Sequence, residues 1–299
     1  MFRNFTQVVD YARKLETKDL IVSNPEDIST IIAVNDAFQM GLIRPVLVGN
    51  KNKILDLLME LGISKKGYEI YNAHNKEEAA LMTVKLVSKH ENAILMKGQI
   101  HSNELLKEVL NEEHGLYTGS FLSHIGVLDI PNYHKLLFIS DAILNIEPSE
   151  DDKINIIRNT YNFVDSLGIY QPKIALISAI EIVQEDIQST VEAKNIVEKL
   201  RDEEGYYIGG PMSIDVAISY EAAETKGVKH VVAGDADILI FPNIESGNTF
   251  YKSTTFFGNA TPAGLILGAS NPIVLPSRSD SYRSKLNSIA LAVVSTDIL

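Results

Sequence analysis

A repeated alternation of short apolar runs with longer segments of helical periodicity constrains this chain more than any other feature. In the amino-terminal part, strand-like runs at 20–22, 45–48, 68–71 and 93–96 alternate with helical patterns, one of which is an amphipathic helix predicted at 77–87. The first helix is predicted to have Asn24 as its cap and Pro25 at its first position, and to end at Gly41. Parallel strands need long, usually helical crossovers. The pattern therefore predicts an α/β fold with mostly parallel sheets.

The second half of the chain repeats this pattern. Strands are predicted at 136–140, 174–178, 238–241 and 273–275, and helices at about 151–167, at 214–225 and through residue 294. No long Gly/Ser/Pro linker separates the halves. The length suits two domains, at roughly 100 to 200 residues each. The turn-rich segment 129–132 is the predicted first crossing between two lobes.

Composition and charge exclude several classes of protein. The chain has 299 residues, with Lys+Arg 27 against Asp+Glu 39 and a formal net charge of −12, so nucleic acid is not an expected partner. It contains no Cys, which excludes disulfides, thiolate metal sites and a cysteine nucleophile. Its apolar runs fall short of the ~20 residues that span a bilayer, and the charged amino-terminal segment does not resemble a signal peptide. We expect a soluble, cytoplasmic protein without membrane partners.

Polar and glycine residues interrupt the apolar pattern at four predicted strand ends, which is where open parallel sheets bind ligands. The four segments are 96–99, 209–215, 234–252 and 275–281. In the last, Ser277 and Arg278 stand beside the start of a helix, a combination that suits an anion. The pair Gly210-Pro211 is expected to form a turn, and Lys97 could equally be a solvated side chain.

Other common signatures are missing. The seven histidines show no paired spacing for a metal, and no Gly-rich dinucleotide or P-loop signature follows the first strand. Asp235 and Asp237 would share one face of an extended segment, but no arginine cluster accompanies them. A metal- and nucleotide-dependent decarboxylating dehydrogenase therefore stays a minor alternative.

Several motifs stand in a specific order along nearly the whole chain. The most specific runs from Val232 to Asn248 (VAGDADILIFPNIESGN) and continues to Tyr251-Lys252. Supporting pieces are Met96-Lys97-Gly98, Thr118-Gly119 with Leu122-Ser123-His124, Ser140-Asp141-Ala142 with Asn145-Ile146, Gly210-Pro211 with Asp215, and Pro272 to Leu275 leading into Ser277-Arg278-Ser279-Asp280-Ser281. Together these motifs resemble the phosphate acetyl/butyryltransferase family.

The resemblance implies a two-lobed fold like that of isocitrate and isopropylmalate dehydrogenases, with a cleft between the lobes. The first lobe would comprise 1–132 plus 277–299, and the second 133–276. The implied activity is exchange of a short-chain acyl group, butyryl or branched, between coenzyme A and inorganic phosphate. Acyl-CoA and phosphate would then be substrates, with no cofactor or metal, and the protein would be a homodimer or a larger homo-oligomer.

The resemblance also implies the site residues. Ser277 and Arg278 would be catalytic, with Arg278 neutralising phosphate or a developing oxyanion. The substrate-binding residues would be Lys97, Lys107, Asn243, Asn248, Lys252 and Asp280. Arg283 and Lys285 add positive charge at the start of the last helix, either for the substrate anion or as solvated side chains.

Two departures from the family leave alternatives open. Acetyl-specific relatives carry an aspartate, proposed as the thiol base, where this chain has Ser284, and relatives tend to have arginine where it has Lys107 and Tyr117. An arginine fork binds phosphate bidentately, which lysine cannot do. A phosphate acetyltransferase, or a noncatalytic coenzyme A-binding or regulatory relative, therefore remains open beside the butyryl-type enzyme.

Overall fold

The computed structural model describes residues 2–90, 92–277 and 279–296. The chain divides into two compact units. The flanking unit consists of Phe5–Ser120 and Ala263–Leu299, and the inserted unit consists of Met1–Asn4 and Phe121–Pro262. The boundaries at 120/121 and 262/263 lie earlier in the chain than the boundaries predicted from the sequence, at 132/133 and 276/277.

Helices and strands alternate along the described residues. In chain order they are α1 (Phe5–Ala12), β1 (Lys18–Ser23), α2 (Ile28–Gln39), β2 (Ile43–Gly49), α3 (Lys51–Glu60), β3 (Glu69–Asn72), α4 (Lys76–Val87), β4 (Ala93–Lys97), α5 (Ser102–Val109), β5 (Ser123–Asp129), β6 (Leu137–Ser140), α6 (Glu150–Ser166), β7 (Lys173–Ile177), α7 (Gln188–Lys199), β8 (Tyr207–Met212), α8 (Ile214–Ile218), α9 (Tyr220–Thr225), β9 (Ile238–Ile240), α10 (Ile244–Phe256), β10 (Thr261–Leu267), β11 (Ile273–Val274) and α11 (Tyr282–Thr296).

In the flanking unit the strands lie in the order β3-β2-β1-β4-β11-β10. All neighbours pair in parallel except β10 and β11, which are antiparallel. The chain builds outward from β1 to β3 and then returns to add β4 on the other side of β1. The strand order therefore reverses between β1 and β4. In an open α/β sheet such a switch point leaves a crevice at the carboxyl ends of the strands.

Side-chain caps start the helices around this crevice. Asp27, Asn50 and Asn75 accept hydrogen bonds from backbone amides in the first turns of α2, α3 and α4. The prediction that Asn24 caps the first of these helices is wrong. Asn24 has a left-handed backbone (φ 53°), and its carbonyl accepts a hydrogen bond from Gln99 N at 2.6 Å. This turn delays the start of α2 to Ile28.

The helix α11 is buried along almost its whole length. Every residue from Ser284 to Thr296 is buried, and the helix packs against α1, α2 and β11. A helix that is buried all round needs its polar side chains satisfied internally. The hydroxyls of Ser288 and Ser295 provide this by donating to the carbonyls of Ser284 and Ala292, each at 2.9 Å.

In the inserted unit the strands lie in the order β5-β6-β9-β7-β8, with β5 antiparallel to β6 and the other pairs parallel. Gly210-Pro211 lies within β8, so the prediction of a turn there is wrong. Because proline cannot donate to a strand ladder, it is tolerated mainly at edges and irregularities. Here β8 ends the strand order, and its pairing with β7 shifts register between Ala175 and Ile177.

The predicted helix at 214–225 is divided into α8 and α9. Ser219 between them has an extended backbone, and its side chain accepts a hydrogen bond from Ala222 N, which starts α9.

The α/β class with mostly parallel strands is confirmed by the pairings in both units. Among the residues that the structure describes, no helix combines the length and apolar content that a membrane crossing needs.

Candidate active site

The carboxyl edge of the flanking sheet brings two of the predicted segments to neighbouring strands. Lys97 ends β4, and Ser277 follows β11, which pairs in parallel with β4 through Val274 and Met96. Asn24 follows β1 on the other side of β4. The segments 96–99 and 275–281 therefore share one edge of the sheet.

Close packing at the switch point makes Gly98 necessary. A Cβ atom at Gly98 would lie 2.1 Å from the carbonyl oxygen of Asn24, so any side chain would separate the two loops. Gly98 N donates to Ser23 O at 2.8 Å, which joins the loops directly. Lys97 is only 4% exposed, and its ammonium lies 3.4 Å from the carbonyl oxygens of Gly98 and Ile100. It is thus a buried cation at the sheet edge, not a solvated side chain.

Ser277 is held in a closed turn by Asp280. The Asp280 carboxylate accepts from Ser277 N at 2.8 Å, and Asp280 N donates to Ser277 O at 3.1 Å. The Ser277 hydroxyl lies 3.1 Å from that of Ser279. Arg278 lies outside the described residues. Asp280 therefore orders the loop that carries the predicted catalytic pair.

The position of the missing aspartate is occupied by a small buried hydroxyl at the start of α11. Ser281 accepts from Ser284 N at 3.1 Å, and the two hydroxyls lie 3.0 Å apart. Ser284 is 5% exposed. A serine hydroxyl at this position is not a base for a thiol, so the chain keeps the fold of this helix start without the carboxylate.

Lys285 is neither solvated nor free for a substrate anion. Its side chain is 3% exposed, and its ammonium lies 3.3 Å from the Asp27 carboxylate and within hydrogen-bond distance of the hydroxyls of Ser29 and Thr30. Burial raises the pKa of Asp27, but hydrogen bonds from Ser29 and Thr30 and the charge of Lys285 outweigh it and lower the pKa. This pair fixes the start of α11 to the start of α2.

The remaining predicted cation of the flanking unit, Lys107, lies exposed on α5. Tyr117, at the second position where relatives tend to have arginine, is 47% exposed. Arg283 is also exposed and stacks near Tyr282, 5.9 Å from the ring centre. These three side chains are accessible to solvent.

The inserted unit has its own cluster at the carboxyl ends of β6 and β9, centred on the buried Asp141. Asp141 Oδ2 accepts from His124 N at 2.9 Å and from the Asn145 amide at 2.7 Å. Its Oδ1 accepts from the backbone amides of Ile143 and Leu144 at 2.8 and 2.9 Å. Asp141 therefore organises the loop after β6.

Asn248 connects α10 to this loop, and Asn243 starts the helix. Asn243 caps α10 by accepting from Ser246 N at 3.0 Å, and the Asn248 amide donates to Ala142 O at 2.9 Å. A Cβ atom at Gly247 would lie 2.4 Å from Asp141 O, so the helix can approach only with glycine there. Of the two predicted binding residues, Asn248 thus holds α10 against the cluster, and Asn243 is the cap of the helix.

Lys252 lies next to two stacked rings. Its ammonium is 5.3 Å from the ring centre of Tyr251, and that ring packs edge-on against His124 with centroids 6.4 Å apart. His124 is 2% exposed, and its Nδ1 has no hydrogen-bond partner among the described residues. Burial, only partly offset by Asp141 and reinforced by Lys252, lowers the pKa of His124 to about 4. The imidazole is therefore neutral near neutral pH and does not compete with Lys252 for an anion.

The motif residues Asp235 and Asp237 lie at the opposite, amino edge of the inserted sheet. Asp235 pairs with Lys135 at 2.9 Å and Lys173 at 2.6 Å, and Asp237 pairs with Lys135 at 2.7 Å. Burial raises the pKa of Asp235, but the hydrogen bonds and charges of both lysines outweigh it and hold the pKa well below its usual range. This carboxylate pair is neutralised by lysines, which gives it a structural role and leaves the metal-dependent dehydrogenase without support from these residues.

A further polar group follows β7 and β8. The Ser213 hydroxyl donates to Asp215 at 2.5 Å and also contacts Glu181, and Lys226 lies 2.9 Å from Asp215 and 3.0 Å from Glu181. The hydrogen bond from Ser213, with that from Lys226, lowers the pKa of Asp215 to about 2. Within the described ranges, no group of three or more His, Asp or Glu side chains could hold a metal.

The sequence predicts no role for His124, Asp141 or Tyr251, although all three lie in the matched motifs. Three-dimensional packing gives them their environment, since His124 and Tyr251 are separated by more than half of the inserted unit. The available signal is the matching of motifs around 122–124, 140–146 and 251–252.

Comparison with known proteins defines the class of this fold and site. Residues 77–293 match the phosphate acetyl/butaryl transferase family. The chain is 37% identical over 297 residues to a phosphate butyryltransferase of Clostridium acetobutylicum, covering 98% of both chains. It is also 37% identical over 292 residues to a phosphate acetyltransferase of Rhizobium meliloti, covering 97% of this chain and 92% of that one.

Solved structures agree with this result. A branched-chain phosphotransacylase from Enterococcus faecalis V583 superposes with a TM-score of 0.87 at 30% identity, covering 95% of this chain and all of that one. A 4-hydroxythreonine-4-phosphate dehydrogenase from Klebsiella pneumoniae, at 12% identity and a TM-score of 0.61, shares the fold alone over 94% of this chain. The chain belongs to the phosphate acetyl/butaryl transferase family, which confirms the resemblance and the dehydrogenase-like fold.

Proposed function

We propose that this protein is a phosphate acyltransferase that moves a short-chain acyl group, butyryl or branched, between coenzyme A and inorganic phosphate. The observation that carries the proposal is full-length similarity to a phosphate butyryltransferase, together with the 30% identity to the branched-chain enzyme. The acetyltransferase is the second candidate, because a relative of that name is equally identical.

Acyl transfer between coenzyme A and phosphate depends more on positively charged groups than on a protein general base. In the direction of thioester synthesis, the coenzyme A sulfur attacks the acyl carbon, the bond from that carbon to the phosphate oxygen breaks, and the proton lost by the thiol ends on the released phosphate. A tetrahedral centre with negative charge lies between the two states, and positioned cations and donors stabilise it. A free thiol has a pKa near ~8.5, so nearby positive charge also increases the reactive thiolate fraction.

The residues available to stabilise negative charge differ in the observations that support each assignment. Lys97 is a buried ammonium at the carboxyl edge of the flanking sheet, beside the Ser277 loop on the neighbouring strand. Lys252 makes no ion pair within the described residues, and the neutral His124 leaves its charge available. From the resemblance we assign Arg278 to the phosphate or oxyanion and Ser277 to a neutral donor. No protein base is assigned, because Ser284 replaces the aspartate and Asp280 already binds Ser277 N.

The test mixes purified protein, phosphate and a chelator with acetyl-, butyryl- and isobutyryl-CoA and measures thiol release. We expect release without metal or nucleotide, with the highest kcat/KM for butyryl- or isobutyryl-CoA. An acetyl-CoA optimum would identify the acetyltransferase, whereas release at the uncatalysed rate with all three thioesters would leave the noncatalytic relative.

A matched pair of variants checks that the reaction belongs to this site. Arg278→Ala should abolish most thiol release, and the exposed Arg283→Ala, from the same segment, should leave it unchanged. We also propose a cytoplasmic homo-oligomer, from the resemblance, which light scattering of the purified chain would test; a monomer at micromolar concentration would contradict it.

A further inference from the structure

Lys285 is a buried lysine in the first turn of α11 whose ammonium is bound entirely by the start of another helix. It lies 3.3 Å from the Asp27 carboxylate and 3.2 Å from the Thr30 hydroxyl, and it also donates to the Ser29 hydroxyl. An ammonium has three donors. All three therefore go to the cap and the first turn of α2.

The Asp27 oxygen that binds Lys285 is also the one that caps α2. Asp27 Oδ1 accepts from Thr30 N at 2.9 Å and from the Ser29 hydroxyl at 2.6 Å. The N-terminal cap of one helix and the anchor of the other thus share a single atom. The starts of α2 and α11 cannot move independently unless these hydrogen bonds break.

Backbone hydrogen bonds continue from Lys285 to the loop that carries Ser277. Lys285 N donates to Ser281 O at 3.1 Å, and Ser284 N donates to the Ser281 hydroxyl at 3.1 Å. One residue earlier, Asp280 closes the turn with Ser277 through its carboxylate and its amide. The loop therefore has two anchors, β11 before it and the start of α11 after it, and Lys285 holds the second.

Stability alone does not account for a lysine at this position. Apolar side chains can often replace a buried ion pair at no cost in stability. The burial of α11 against α1, α2 and β11 already holds the helix in the unit. Apolar burial is non-directional, whereas hydrogen bonds require a defined distance and angle. The bonds of Lys285 therefore define the rotation and the axial position of the helix start.

We infer that Lys285 is a positioning residue for acyl transfer: by binding Asp27 it fixes the start of α11, and with it the loop that carries Ser277 and Arg278. The inference rests on the proposed function for the reaction and for the role of that pair. Lys285 acts on the loop and not on the substrate, so its loss should lower kcat rather than raise the KM for butyryl-CoA. A misplacement of about 1 Å can slow a reaction about 100-fold.

Steady-state kinetics of three variants test the inference. Lys285→Met should lower kcat about tenfold or more, with a KM for butyryl-CoA within about twofold of wild type. Lys285→Arg keeps a positive charge for Asp27 and should retain more of the wild-type kcat. The double variant Asp27→Asn/Lys285→Met leaves no buried charge unpaired and keeps an asparagine cap for α2, which protects folding. It should lose as much kcat as Lys285→Met, because both lack the same link.

The inserted unit offers a matched control. Lys153 on α6 is a buried lysine that donates to Glu192 on α7. Lys153→Met makes the same chemical change, and it should lower the urea midpoint about as much as Lys285→Met while leaving kcat within about twofold of wild type. A wild-type kcat in the double variant, or an equal loss of kcat in Lys153→Met, would overturn the inference.

Hydrogen exchange gives a readout that needs no turnover. The amides of Ser277, Asp280 and Ser284 are hydrogen-bonded within the loop and the helix start. They should exchange about tenfold faster in Lys285→Met and at the wild-type rate in Lys153→Met. A wild-type protein without acyl transfer would refute the proposed function, while exchange would still decide whether Lys285 holds the loop. Unchanged exchange in Lys285→Met would overturn the inference.

Discussion

The buried imidazole of His124 should make the protein lose stability in mild acid. Burial lowers its folded-state pKa to about 4, from an ordinary value of 6.5. Between these two values the unfolded chain binds a proton that the folded chain does not, so stability falls as the pH falls. The full effect is about 3 kcal/mol, complete only below the folded pKa. Between about pH 7.5 and about pH 5, roughly 2 kcal/mol should be lost.

The groups that face His124 affect its folded-state pKa and therefore the size of the stability loss. Asp141 opposes the shift, Lys252 reinforces it, and the Tyr251 ring covers the imidazole edge. Loss of the Asp141 charge would lower the His124 pKa further.

Urea unfolding of wild type and His124→Gln at both pH values measures the effect. The neutral glutamine cannot take up a proton, so the variant should lose about 2 kcal/mol less than wild type between the two conditions. His101→Gln, at an exposed position, should keep the wild-type dependence. Equal pH dependence in wild type and His124→Gln would show that the imidazole is already protonated in the folded protein or is accessible to water.

Three further predictions concern the charged residues. Arg278→Ala should lower kcat/KM by ~100-fold or more, and Ser277→Ala by less, because a neutral donor stabilises developing charge less than a cation does; comparable losses would contradict this assignment. Lys252→Ala should raise the KM for phosphate several-fold and weaken inhibition by sulfate, and values within about twofold of wild type would remove Lys252 from the anion site. Asp235→Asn should lower the free energy of unfolding by about 2–3 kcal/mol, since it leaves Lys135 with a side chain 6% exposed beside one carboxylate instead of two. Asp151→Asn, from an exposed ion pair with Lys199, should change it by less than about 1 kcal/mol, and similar losses in both variants would refute the distinction.

The secondary structure of strongly periodic segments of this chain can be predicted from the sequence without knowledge of the tertiary fold. The predicted strand at 93–96 and helix at 77–87 correspond to β4 and α4 within a residue at each end. Local pattern suffices there because an apolar run with a charged end, or an amphipathic repeat with an asparagine cap, has few competing conformations.

Segments whose structure depends on distant partners were not predictable in the same way. The α10 sequence contains a glycine and many hydroxyl residues, so it lacks a clear apolar stripe. It becomes a helix that Asn243 caps and that packs through Gly247 against the loop after β6. Tertiary contacts outweigh helix propensity in such a case.

The candidate site shows the same limit. Motif resemblance identified Ser277 and Lys97, and their neighbouring strands place them at one edge of the sheet. It could not reveal that Lys285 is buried against Asp27, because the two residues are 258 positions apart. From charge and position alone, Lys285 could either bind the substrate anion or be a solvated side chain.

The buried helix α11 also imposes an order on biosynthesis. The strand β11 lies between β4 and β10, and α11 packs against α1 and α2, so the residues of the flanking unit that precede the inserted unit leave the ribosome without the partners that shield their apolar surface. Nearly all of the inserted unit is one continuous stretch that emerges before those partners do. The nascent chain must therefore keep this segment of the flanking unit unaggregated, alone or with chaperones, while the inserted unit becomes able to fold. The two units complete their folding in the reverse of the order in which most of their residues are made.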